Sequence, residues 1–156
     1  MHSCKDPLEG IKSIAVIPGF LEDYAFSIEA FIKLYQVSFN EKYLEQAVRW
    51  MYYTLENFSD DHNVLFYFTS GKEAALITRK MEIQDNVIPA STAVMAQNLF
   101  LLGTFTMNQG WVDRSKRMIV SLKEEIIKST PWYCRWAQVL LLFTEPVYEL
   151  VMAGKQ

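Results

Sequence analysis

The sequence predicts a mainly α protein of stacked α-hairpins with a small β-hairpin insertion. Three observations lead there. Apolar residues recur at helical spacing from about residue 23 to about residue 143. Segments that are apolar nearly all round alternate with segments apolar on one face only, the rhythm of inner and outer helices in a hairpin stack. About thirty residues in the middle lose the helical period, and a stretch that long inside a compact domain carries structure or function of its own. The 156 residues fit one domain, 1–156, with enough chain to bury a core without staples.

The first helix, about Asp23 to Ser38, has Tyr24, Ile28, Phe31 and Tyr35 at helical spacing. Ala25, Phe26, Ala30, Ile32, Leu34 and Val37 cover most of its remaining circumference, so it should be buried nearly all round. The second, about Glu41 to Phe58, carries one stripe (Leu44, Ala47, Val48, Met51, Leu55, Phe58) and leaves Glu41, Lys42, Glu45, Arg49 and Glu56 to solvent. Asp60 to Asn63 is a turn, Val64 to Thr69 reads as a strand, Ser70-Gly71 as a turn and Ala74 to Thr78 as the return strand, a β-hairpin at about 64–78. The third helix, about Pro89 to Met107, has no charge and should be buried. The fourth, about Val112 to Lys128, puts Ser115, Met118, Ile119, Leu122 and Ile126 on one face and most of its charges on the other. The fifth, about Pro131 to Phe143, has Arg135 as its only charge and reads as buried, with Pro131 in its first turn and Cys134 in the core. A strand-like tail follows at about 146–152.

Fifteen basic and eighteen acidic residues give a formal charge of −3, which argues against nucleic acid as a partner. No segment reaches the roughly 18 apolar residues of a membrane span. Two cysteines, Cys4 and Cys134, make no disulfide framework, so a reducing, cytoplasmic setting is expected. With two histidines, His2 and His62, and no C-x-x-C, no metal site is expected; no P-loop or G-x-G-x-x-G points to a cofactor, and none is expected. Hydrophobic residues make up 51% and charges only 21%, against about 25% in ordinary domains. The chain has more to bury than to solvate.

If the three buried helices form one inner layer, they run parallel and their N-termini gather at one end. Glu22-Asp23-Tyr24, the run from Glu82 to Thr92, and Trp132-Tyr133 stand at those starts. Free N–H donors and a positive dipole end suit sugar hydroxyls or anions, and paired carboxylates can divide acid and base roles. Asp23 and Asp85 are the candidate catalytic carboxylates. Tyr24, Arg79, Glu82, Ser91 and Trp132 are the candidate substrate contacts. The same residues also read as helix caps, in Asp23 for the first helix and in Asp85 or Ser91 for the third, and Arg79 near Glu82 also reads as a solvated ion pair.

Gly19-Phe20-Leu21-Glu22-Asp23-Tyr24-Ala25 resembles the GxLDDYA-like motif of the YyaL-like proteins, which are related to the spermatogenesis-associated thioredoxin-like proteins. A second stretch resembles that family's FYFT…LI-R…E-x-x-D-x-x-x-P-S-x-N-S-V pattern: Phe66 to Ser70, Leu76 to Arg79, Glu82, Asp85, Pro89, Ser91 and Ala93-Val94. The resemblance covers about Phe20 to Phe105. It implies a partial (α/α)6 toroid of the six-hairpin glycosidase and N-acylglucosamine 2-epimerase type, of which five helices supply less than half. Full-length relatives add a thioredoxin-like domain, so the chain is expected to be a C-terminal portion. Ser91-Thr92-Ala93 departs from the family's P-S-x-N-S, and the epimerases' histidines have no counterpart, since neither His2 nor His62 opens an inner helix.

Two functions follow as expectations. One is a fragment whose parent binds or processes a carbohydrate, with this chain not catalytic alone and the reaction left open. The other is a non-catalytic interaction module whose apolar inner helices are covered by a second copy, as a homodimer, or by the missing N-terminal half.

Overall fold

The computed structural model describes residues 19–72, 79–144 and 148. The described residues form α1 (Leu21–Ser38), α2 (Glu41–Phe58), α3 (Ser91–Phe105), α4 (Gln109–Ser121), α5 (Lys123–Lys128) and α6 (Cys134–Leu141), with a 3-10 turn at Thr130–Trp132. α1 with α2 and α3 with α4 make two hairpins, and α1, α3 and α6 lie side by side.

The hairpin turns follow from local chemistry. Phe39 closes α1 in the left-handed region (φ 53°), its N–H donating to Tyr35 O at 2.8 Å, and the Asn40 side chain then accepts Lys42 N–H at the start of α2. Only two residues separate the helices, so α2 must fold back, and its stripe through Ala47, Met51 and Phe58 lies in the core. At the second hairpin, Gly103 lets α4 approach α3 closely: a Cβ there would meet Val112 Cγ2 at 2.7 Å and Asn108 O at 3.0 Å. Two buried hydrogen bonds then pin α3 to its neighbours. Asn98 Nδ2 donates to Ala25 O at 2.8 Å, and Ser115 Oγ donates to Ala96 O at 2.7 Å.

α3 is buried as its uncharged sequence requires, at eleven of its fifteen residues. The inner-layer expectation fails for the other two. α1 buries only Leu21, Ala25, Ile28, Glu29 and Ile32, and Val37 is 78% exposed. α6 buries Trp136 and Val139, while Leu140, Leu141 and Cys134, expected in the core, are exposed. The cause is position. α3 is flanked by α1, α4 and α6, whereas α1 and α6 stand at the two edges of the layer with one side uncovered by described residues.

Three further expectations are corrected. The fourth helix breaks in two at Leu122. Ser121 Oγ donates to Met118 O, the carbonyl the α-ladder would offer to Leu122 N–H, and that N–H turns to Ile119 O instead. Pro131 sits in the 3-10 turn, not in the first turn of a continuous helix. The expected strand at Val64–Thr69 is absent, and among the described residues there is no strand at all, only an isolated bridge between Asp60 and Asn63. Its backbone groups are divided among three elements: Tyr67 N–H donates to Phe58 O, Phe68 N–H to Lys80 O, and Phe68 O accepts Leu21 N–H. A segment so divided has no single partner for a ladder. The expected return strand, Ala74 to Thr78, lies outside the described residues, as does the strand-like tail apart from Tyr148.

No described helix is long and apolar enough to cross a membrane.

Candidate functional site

Residues 79–90 form a loop whose side chains cap the starts of α3 and α6 from outside, with the Glu82 charge also felt by Glu22 in the first turn of α1. Glu82 Oε2 accepts from Ser91 Oγ at 2.8 Å and from Ser91 N–H at 3.3 Å, at the first residue of α3. Asp85 uses both oxygens: Oδ1 accepts Ala90 N–H at 2.9 Å and Oδ2 accepts Arg135 N–H at 2.8 Å. One carboxylate therefore satisfies orphan donors at the starts of two helices, where the macrodipole also favours negative charge. Asp85 N–H donates to Trp132 O, and Ile83 O accepts Trp136 Nε1–H at 2.8 Å, so the loop also holds the turn before α6.

The remaining predicted residues divide between this end and its surroundings. Asp23 accepts Phe20 N–H at 2.8 Å and fixes the first turn of α1. Glu22, beside it, has its pKa raised, first by burial and then by the charges of Glu82 and Asp23. Tyr24 faces α2 within an aromatic cluster, 5.1 Å from the Tyr53 ring centroid and 5.3 Å from that of Phe58. Burial, and then the neighbouring Tyr53 hydroxyl, push its pKa up to about 12. Arg79 turns to the C-terminal end of α2, where Nη2 donates to Thr69 O at 2.7 Å and Asn57 O at 3.3 Å, its guanidinium 4.1 Å from the Tyr67 ring centroid. It completes the last turn of α2.

The structure thus brings together Glu82, Asp85, Ser91 and Trp132, sets Asp23 nearby, and takes Tyr24 and Arg79 out of the group. Around the loop lies an open groove of about 450 Å³ lined by Lys80 to Asn86 and Trp132, a residue 57% exposed. A second groove of about 360 Å³, lined by residues that include Asp85, Asn86, Cys134, Arg135 and Gln138, adjoins it. Among the described residues no three His, Cys, Asp or Glu side chains gather as a metal-ligating group.

Sequence reasoning missed an ion pair that joins α1 to α6. Glu29 Oε1 accepts from Arg135 Nη2 at 2.7 Å and from Lys33 Nζ at 3.0 Å, with both Glu29 and Arg135 largely covered. Burial pushes the Glu29 carboxyl up, the hydrogen bonds from Arg135 and Lys33 push it down, and the second effect prevails. The signal was visible: Arg135 is the lone charge of an otherwise apolar helix.

No protein-family model matches the chain. It is 34% identical over 117 residues to spermatogenesis-associated protein 20 of Mus musculus, 34% identical over 110 residues to the Homo sapiens protein and 33% identical over 110 residues to the Rattus norvegicus protein. Each comparison covers 69% of this chain and 14% of the relative, so the chain spans about a seventh of the length of these proteins. The chain is a helical assembly distantly similar, over about two thirds of its own length, to a small part of spermatogenesis-associated protein 20.

Proposed function

We propose that the chain is part of a YyaL-like (α/α)6 toroid and forms one wall of a carbohydrate-binding cleft at the end where the inner helices begin. The exposed Trp132 ring above the open groove at residues 80–86 carries this reading. An aromatic face beside amide, ammonium and carboxylate groups is suited to a sugar, whose C–H faces stack while its hydroxyls find donors and acceptors. Lys80, Gln84 and Asn86 would make the polar contacts. Glu82, Asp85 and Ser91 hold the loop in position. Asp23 and Asp85 enter as positioning carboxylates, because the N–H groups they accept already engage them, and catalysis is left to the complete ring. The chain alone is not catalytic in this reading.

The test is a titration of tryptophan fluorescence with neutral monosaccharides and amino sugars. A saturable change that Trp132→Ala abolishes is expected; no saturable change with any sugar, or an unaltered response in the variant, overturns the proposal. Asp85→Ala is expected to lower the urea midpoint by the equivalent of about 2 kcal/mol, since it strips the caps from two helix starts. An unchanged midpoint would return Asp85 to the list of catalytic candidates.

A second reading, an interaction module, is favoured by the exposed Leu34, Val37 and Phe39 along one edge and Ile127, Leu140 and Leu141 along the other. Edges like these suit a second copy or the neighbouring hairpins of a longer chain.

A further inference from the structure

On α4, Arg114 and Arg117 stand three residues apart and so share a face. That face closes a cavity of about 370 Å³ whose other wall is the turn Asp60 to Val64. Arg114 lies against the Phe66 ring, 4.7 Å from its centroid, and Nη2 donates to Val64 O at 3.2 Å. Its Nε is buried without a partner, and among the described residues no hydrogen bond engages Nη1. Among the described residues neither arginine has a carboxylate within 4 Å. Burial, and then the charge of Arg117, hold the Arg114 pKa below the usual arginine range, while the Asp60 charge works in the opposite direction. Asp60 is itself committed within the turn, Oδ1 accepting His62 N–H and Asn63 N–H at 3.0 Å each.

Two guanidinium charges on one wall match a dianionic tetrahedral group, which accepts charge-assisted N–H bonds from each. The opposite rim carries Asp60, Asp61, His62 and Asn63, whose Oδ1 accepts Leu65 N–H at 2.9 Å and whose side-chain amide N–H groups have no hydrogen-bond partner among the described residues. Carboxylates there repel an extended polyanion but accept hydroxyl donors. We propose that this cavity binds the phosphate monoester of a small hydroxyl-bearing molecule, the phosphate on Arg114 and Arg117 and the hydroxyls on Asp61 and Asn63. The site is separate from the groove at Trp132, with which it shares no lining residue.

Two-dimensional NMR of the arginine Nε–H groups of the 156-residue chain tests it. The protein is titrated with inorganic phosphate, with glucose 6-phosphate and with chloride at matched ionic strength. Both phosphates are expected to shift the Arg114 and Arg117 signals saturably, the sugar phosphate at lower concentration. Arg117→Gln, at an exposed position, is expected to stay folded and to weaken both by about tenfold or more, as loss of a charge-assisted hydrogen bond implies. Chloride producing the same shifts, the variant titrating like the parent, or the sugar phosphate perturbing Trp132 while leaving both arginines unmoved would each overturn the proposal.

Discussion

Glu29 links two helices that do not neighbour each other in sequence, and its charge makes that link depend on pH. Its folded-state pKa lies below the ordinary 4.5, so the stability it contributes is present above the unfolded value and is lost as pH falls through the folded one. Glu22 acts with opposite sign: burial first, and then the charges of Glu82 and Asp23, raise its pKa, so protonation brings a gain present below the unfolded value and lost as pH rises through the folded one. The expected result is a fall in urea-measured stability below about pH 4.5 that is shallower in Glu29→Gln. An identical acid limb in parent and variant would contradict the Glu29 assignment. The residue types at this end were legible: Glu82, Asp85, Ser91 and Trp132 do come together. Their roles were only half legible, because spacing identifies a carboxylate near a helix start but not which N–H it accepts. Asp85 reaches Arg135, fifty residues away in the chain, and no local pattern records that.

Helix existence and type were readable wherever the apolar period ran long, as in α2, where stripe and solvent face separate cleanly. The failures lie where a hydrogen bond outside the local pattern decided the backbone. Ser121 broke one helix, and the division of residues 67–68 among three elements cancelled a strand that β-propensity alone would allow. Gly103 offers a test at this scale. Alanine is the better helix former by about 1 kcal/mol, yet a Cβ here would run into Val112 and Asn108 of the returning hairpin. Gly103→Ala is therefore expected to lower stability by about 1–3 kcal/mol, read as a drop in melting temperature. A rise would mean that α3 and α4 can separate at little cost.

At the scale of the molecule, the apolar excess of the composition reappears as two edges that no described residue covers. Leu34, Val37 and Phe39 belong to one, and Ile127, Leu140 and Leu141 to the other, with α3 sealed between them. Edges of this kind are expected to associate, so light scattering should give a mass that rises with concentration above that of one chain. Val37→Lys with Leu141→Lys should return it to the mass of one chain. A parent that stays monomeric at every concentration would remove the support for the interaction reading and leave the groove at Trp132 as the better-supported function.

The sequence by itself determined the helical class, the two hairpins, the burial of α3 and, of the candidate residues, Glu82, Asp85, Ser91 and Trp132 at the starts of α3 and α6. Those follow from periodicity, turn residues and the absence of charge, all properties of neighbours along the chain. Only the tertiary structure decided that α1 and α6 are edges, that Arg79 finishes α2 and leaves the groove, that Cys134 faces outward, and that Asp85 and the Glu29–Arg135 pair join helices far apart in sequence. Burial and hydrogen bonding depend on what packs against a residue, and a one-dimensional pattern states how much a segment needs to be covered without saying what covers it.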